Sequence, residues 1–157
     1  MGEHPLARNR VLCLGNEMIA DDGVGPAVAA ELRDRSIDAE VAESCLAGLA
    51  LLDDLLGVER LIVVDAVGTG TVPPGTVHLL TEDEVAASPA GWQHAMGLFE
   101  SIDLARALGL CAPAEVVLVA VEAGDLVTVG GPLTEEVRGA VGRTVIVVED
   151  LLAGQEV

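Results

Sequence analysis

Apolar residues in this chain fall into short unbroken runs, separated by longer stretches in which every third or fourth position is apolar. Arg10–Gly15 (RVLCLG) reads as a buried strand that Gly15-Asn16 ends. From Val24 the spacing turns helical: Val24, Ala27, Val28 and Leu32 share one face, and Pro26 sits in the first turn, where its missing N–H is harmless. Ile37–Ala42 predicts a short, half-buried strand, and Leu49, Leu52, Leu55 and Leu56 predict a second amphipathic helix. Leu61–Val67 (LIVVDAV), β-branched and bounded by Gly68-Thr69-Gly70, predicts the central strand. Beyond the turn Pro73-Pro74-Gly75, Thr76–Leu80 predicts an edge strand, and Thr81-Glu82-Asp83-Glu84 has the form of a capping box. A loop through Ser88-Pro89-Ala90-Gly91 leads to His94 and to a helical stripe of Leu98, Ile102 and Ala105, and Val116–Val121 then predicts another strand. After a loop carrying Gly124, Gly130, Gly131 and Pro132, Thr134 is placed to cap a helix over Glu135–Leu152. Val137, Val141, Val145 and Val148 recur there every four residues, although the TVIVV run would also suit a strand.

Strands that alternate with helices, and strands that are apolar almost throughout, call for a mostly parallel sheet covered on both faces. The expected fold is α/β: a three-layer α/β/α sandwich around a twisted, mostly parallel sheet with one antiparallel edge strand. At 157 residues the chain has the length of one domain. Residues 10–153 form that domain, 1–9 a leader and 154–157 a short tail.

Composition narrows the function. Trp92 and Phe99 are the only aromatics, so the core is aliphatic and there is no row of rings on which bases could stack. Lys and Arg total 8 against 26 Asp and Glu, a net charge of −18, which repels phosphate backbones and anionic lipid. Nucleic acid and membrane are therefore excluded as expected partners. Three cysteines, Cys13, Cys45 and Cys111, make an odd count without CxxC spacing, which points to a reducing cytoplasm and to thiols without a catalytic role. No apolar run approaches the ~20 residues of a membrane span.

In a sheet of this class, ligands bind beyond the carboxyl ends of the strands. Two acidic features belong there: the run Asn16-Glu17-Met18-Ile19-Ala20-Asp21-Asp22-Gly23-Val24-Gly25 between the first strand and helix, and Asp65 at the end of LIVVD. Helix capping alone would account for one acid of the Asp21-Asp22 pair and leaves one spare. A dinucleotide site is excluded. Gly15 is followed by a gap before Gly23 that breaks G-x-G-x-x-G, and two carboxylates would face the phosphates. His94, one turn before Leu98, is the histidine best placed to join the acids, whereas His4 falls in the leader and His78 on the edge strand.

The run GNEMIADDGVG after the first strand, VVDA at the central strand, and His94-Ala95-Met96-Gly97-Leu98 opening a later helix resemble the nickel-iron hydrogenase maturation proteases. The likeness spans Arg10 to Leu152 and includes Pro73-Pro74-Gly75-Thr76. It implies an endopeptidase, aspartic-type or metal-dependent, that removes the C-terminal extension of a nickel-loaded hydrogenase large-subunit precursor. It also implies that Asp22, Asp65 and His94 are at once the catalytic residues and the metal ligands. The nickel would be presented by the precursor, with zinc or cadmium as possible surrogates. The protein would be a cytoplasmic monomer, and Asn16 and Asp21 would be structural, Asp21 no more than a weak helix-start acid. The family's Asp-Gly-Gly-Thr stretch, tied to substrate selectivity, is replaced here by Glu43-Ser44-Cys45-Leu46 before a matching Ala47-Gly48. A metal-dependent hydrolase of another amide, or a non-catalytic nickel- or precursor-binding protein, are the alternatives.

Overall fold

The computed structural model describes residues 7–87 and 92–154, and the side chains of Ala7, Gln93 and His94 lie outside the described residues. In chain order the elements are β1 (Ala7–Leu14), α1 (Val24–Arg33), β2 (Glu40–Ser44), α2 (Leu52–Leu55), β3 (Val58–Val67), β4 (Val77–Thr81), α3 (Glu82–Ala86), α4 (Gln93–Ala107), β5 (Glu115–Glu122) and α5 (Glu135–Leu152). The sheet order is β2-β1-β3-β5-β4. All neighbours are parallel except β4, which runs antiparallel to β5 along the edge. This is the expected sandwich.

The alternation of side chains along each strand decides what covers each face. Val11 and Cys13 of β1, Ile62 and Val64 of β3, and Val117, Val119 and Val121 of β5 point to one side. There they meet Val24, Val28 and Leu32 of α1 and Val137, Val141, Val145 and Val148 of α5. Leu12 and Leu14, Leu61 and Val63, and Leu118 and Ala120 point to the other side, where α4 supplies Leu98, Phe99 and Ile102. Gly25 lets α1 lie directly on β1, because a Cβ there would stand 2.0 Å from the Leu14 carbonyl oxygen.

Three boundaries depart from the sequence pattern. β1 begins at Ala7 and already pairs with β3 at Ala7 and Asn9, so the last three leader residues belong to the sheet. β2 lies at Glu40–Ser44 rather than at Ile37–Ala42, in register with Arg10 through Leu14. The helix expected over Leu49–Leu56 shrinks to a 3-10 turn at Gly48–Leu51 and the single turn of α2, since Gly48 and Gly57, both at positive φ, close off the segment. The valine-rich C-terminal run is helix throughout, its N-cap at Thr134.

Of the three thiols, Cys13 is fully buried and Cys45 and Cys111 are exposed and unpaired. Burial, with the Glu43 charge adding and Arg33 opposing, pushes the Cys13 thiol from 9.0 to about 12. A thiol reagent at pH 8 should therefore label Cys45 and Cys111 within minutes and Cys13 only as the protein unfolds. Fast reaction of all three thiols in the folded protein would show that β1 is not held as described.

Candidate active site

The turn between β1 and α1 builds the first half of the site. Gly15 takes φ +137, and a Cβ there would meet the Asp22 carbonyl at 2.0 Å, so only glycine lets the chain fold back over itself. The Asn16 side chain accepts from the Met18 amide (3.0 Å), and its own backbone N–H donates to Asp22 Oδ2 (2.8 Å). Asp65 comes from the end of β3 on the α4 side of the sheet, in step with Leu61 and Val63. Its Oδ1 accepts from the Ala66 N–H at 2.8 Å. Each of these two carboxylates thus has one oxygen held by a backbone amide, while the other takes no hydrogen bond among the described residues.

The two acids also share their surroundings. Both line a cavity of about 250 Å³ with Ile19, Trp92, Leu118 and Leu126, and both line a second of about 140 Å³ with Cys45, Leu46 and Leu51. Burial raises the Asp65 carboxyl from 3.8 to about 7, and the charge of Asp22 adds to the rise while the Ala66 N–H opposes it. Asp65 is therefore poised to gain or lose a proton near neutrality.

Asp21 is the opposite case. It is fully buried, and both its oxygens are occupied. Gly124 and Asp125 donate their N–H groups to Oδ2 at 2.8 Å each, and Thr134 donates its N–H to Oδ1 at 2.7 Å and its hydroxyl across both oxygens. The Asp21 N–H in turn donates to the Asp125 carbonyl at 2.9 Å. The expectation of a weak helix-start acid is corrected: Asp21 does not serve α1 but clamps the β5–α5 loop and the first residue before α5. Of the adjacent pair, Asp22 is the acid with an open oxygen among the described residues.

His94 is the second residue of α4, two positions after the cavity-lining Trp92. Its side chain lies outside the described residues, and among the described residues no three His, Cys, Asp or Glu side chains gather as a metal cluster. One group escaped the sequence pattern. Glu122, the last residue of β5, is buried at 1% exposure and accepts from the Thr69 hydroxyl, the Gly70 N–H and His78 Nε2 at 2.9, 2.8 and 3.2 Å. His78 meets Trp92 edge-on, ring centroids 5.2 Å apart. The histidine assigned only to an edge strand thus helps to fix a wall of the larger cavity. Of the replaced stretch, Glu43 pairs with Arg33 beside α1, and Cys45 and Leu46 line the smaller cavity. Among the described residues, no helix is long and apolar enough to cross a membrane.

The chain as a whole has known relatives. The family of hydrogenase maturation proteases of the HycI type matches residues 26–151. The hydrogenase expression/formation protein HupD of Bradyrhizobium diazoefficiens is 33% identical over 92% of this chain and 79% of its own length. The hydrogenase maturating endopeptidase HybD of Escherichia coli superposes with a TM-score of 0.80 at 27% identity, covering 94% of this chain and 93% of that one. The [NiFe] hydrogenase maturation protease HybD of Thermococcus kodakarensis follows at 0.76 and 27%, covering 92% and 99%. With the fold, the family match and the identity agreeing over most of its length, the chain belongs to the hydrogenase maturation protease family.

Proposed function

We propose that this endopeptidase removes the C-terminal extension of a [NiFe] hydrogenase large-subunit precursor, and that it acts on a precursor already carrying nickel. The observation that carries the reading is the pair of open carboxylate oxygens, one on Asp22 and one on Asp65, in a shared mouth at the carboxyl edge of the sheet. Two carboxylates and the His94 imidazole suit a borderline divalent ion, and three ligands leave positions for donors of the precursor itself. A site without thiolate holds such an ion weakly on its own, so the nickel belongs to the substrate and zinc or cadmium can stand in for it.

The chain's own contribution to bond breaking is proton transfer. Of the two open carboxylate oxygens, on Asp22 and Asp65, the one not engaged by the ion can take a proton from the attacking water as the hydroxyl adds to the peptide carbonyl. The same proton then passes to the departing amine nitrogen as the C–N bond breaks. Incubated with purified precursor, the protein should release the tail when the precursor holds nickel and not when it has been prepared without it. His94→Ala should lose that release, because no nitrogen ligand remains. Efficient cleavage of nickel-free precursor would overturn the requirement for the metal.

A further inference from the structure

An ion held by oxygen and nitrogen needs no side-chain recess, yet the carboxylate pair is flanked by two, the larger mostly apolar and the smaller more polar than apolar. Asp22 and Asp65 form the wall between them. The larger opens toward β5 through Leu118 and Ala120, and the smaller toward β1 and the segment after β2 through Leu14 and Cys45. Beyond the carboxylates, the larger recess is closed by Trp92 and Leu126 and the smaller by Leu46 and Leu51.

We propose that the two recesses are side-chain subsites for the substrate peptide on opposite sides of the cleaved bond, the larger taking a bulky apolar side chain and the smaller a shorter one. The proposal rests on the protease reading and adds its specificity. Strands in a sheet lie ~4.8 Å apart, so the way from β1 across β3 to β5 is ~10 Å, which an extended peptide covers in two to three residues at ~3.3 Å each. A peptide laid across the carboxyl edge therefore presents a bond to the carboxylates while side chains on either side enter the recesses. The larger recess is built to hold its shape. His78 packs edge-on against Trp92, and the buried Glu122 holds both His78 and the Thr69-Gly70 loop next to the lining residue Gly68. Filling such a recess with an apolar side chain is worth roughly 10- to 100-fold in affinity.

Trp92 reports on the occupant directly, as the chain has one Trp and no Tyr. Synthetic peptides tiling the precursor's C-terminus, titrated into the metal-free protein, should include one that shifts the Trp92 emission and saturates. Leu126→Asp, at a position already 39% exposed, should keep the melting temperature and weaken that peptide roughly 10-fold or more. It should also raise KM for nickel-loaded precursor far more than it lowers kcat. Cys45→Phe should block the smaller recess with the same KM-weighted loss. An unmoved Trp92 signal, or unchanged KM in both variants, while the precursor is still cleaved, would overturn the subsites and leave the protease reading standing. Saturable peptide binding that Leu126→Asp weakens, without any cleavage, would keep the recesses as peptide side-chain pockets but overturn both the protease reading and their place on either side of a cleaved bond.

Discussion

Replacing Asp21 by Asn should cost about 3 kcal/mol of stability, although the change removes a single charge and almost no volume. The Asp21 carboxylate receives three backbone N–H groups and one hydroxyl at zero exposure, and a hydrogen bond to a buried charge contributes about 1.5–3 kcal/mol. Asparagine retains one acceptor oxygen. Its amide group must then face either the Gly124 and Asp125 donors or the Thr134 donor, leaving buried N–H groups opposed to another donor. For a domain of this length the melting temperature should fall by about 10 °C. Thr134→Val removes only the hydroxyl and should cost about 1 kcal/mol, and because both residues share one network the two losses should not add. Activity should fall with stability, since the turn that carries Asp22 is tied through Asp21 to the β5–α5 loop. Urea unfolding of the single and double variants checks this. A loss below about 1 kcal/mol for Asp21→Asn would return the residue to the helix-start role that its neighbours in sequence imply.

The contrast between Asp21 and Asp22 shows where a sequence stops being readable. Both acids sit in one motif, and nothing within a turn of either separates them. The partners that occupy Asp21 lie 103 to 113 residues away, brought in by the pairing of β5 with the central strand β3. Elements with a strong local period were legible. The valines of α5 marked a helix whose observed span is Glu135–Leu152, and Thr81 to Glu84 made the capping box, with the Thr81 N–H donating to Glu84 Oε2 at 2.7 Å. β2 was legible only as a strand, since its register against β1 is a long-range choice that moved it toward the C-terminus. The leucines after Gly48 mimicked an amphipathic helix because buried and exposed leucines look alike in sequence: Leu55 is fully buried and Leu49 is 61% exposed. Glu122 and His78 gave no signal at all. Glu122 ends an apolar run and His78 interrupts one between Val77 and Leu79, and their meeting requires β4 to lie antiparallel on β5.

Asp65→Asn should abolish tail release and, in the same protein, raise the stability of the metal-free fold at pH 8. On the proposed reading, loss of the carboxylate removes an oxygen that serves either the ion or the proton transfer, and general acid–base catalysis alone is worth about 10²–10⁴ in rate. The gain in stability follows from the same environment. Burial lifts the carboxyl from 3.8 to about 7, so the folded state prefers the protonated acid, and the unfolded chain ionises first as pH rises. The stability that protonation supplies is whole below about pH 4 and is lost progressively up to about pH 7. A shift of that size sets a ceiling of about 4 kcal/mol, which partial exposure to the open cavities cuts to about 2. Asparagine is neutral at every pH and escapes the loss. Unfolding curves for wild type and Asp65→Asn in the presence of chelator should therefore coincide near pH 4 and separate by about 2 kcal/mol at pH 8, with the variant the more stable. Other acids titrate equally in the two proteins and cancel from the difference. A wild type as stable as the variant at pH 8 would mean that the Asp65 carboxylate is satisfied by the fold, and that its burial has not been arranged at the expense of stability for a proton and a ligand brought by the substrate.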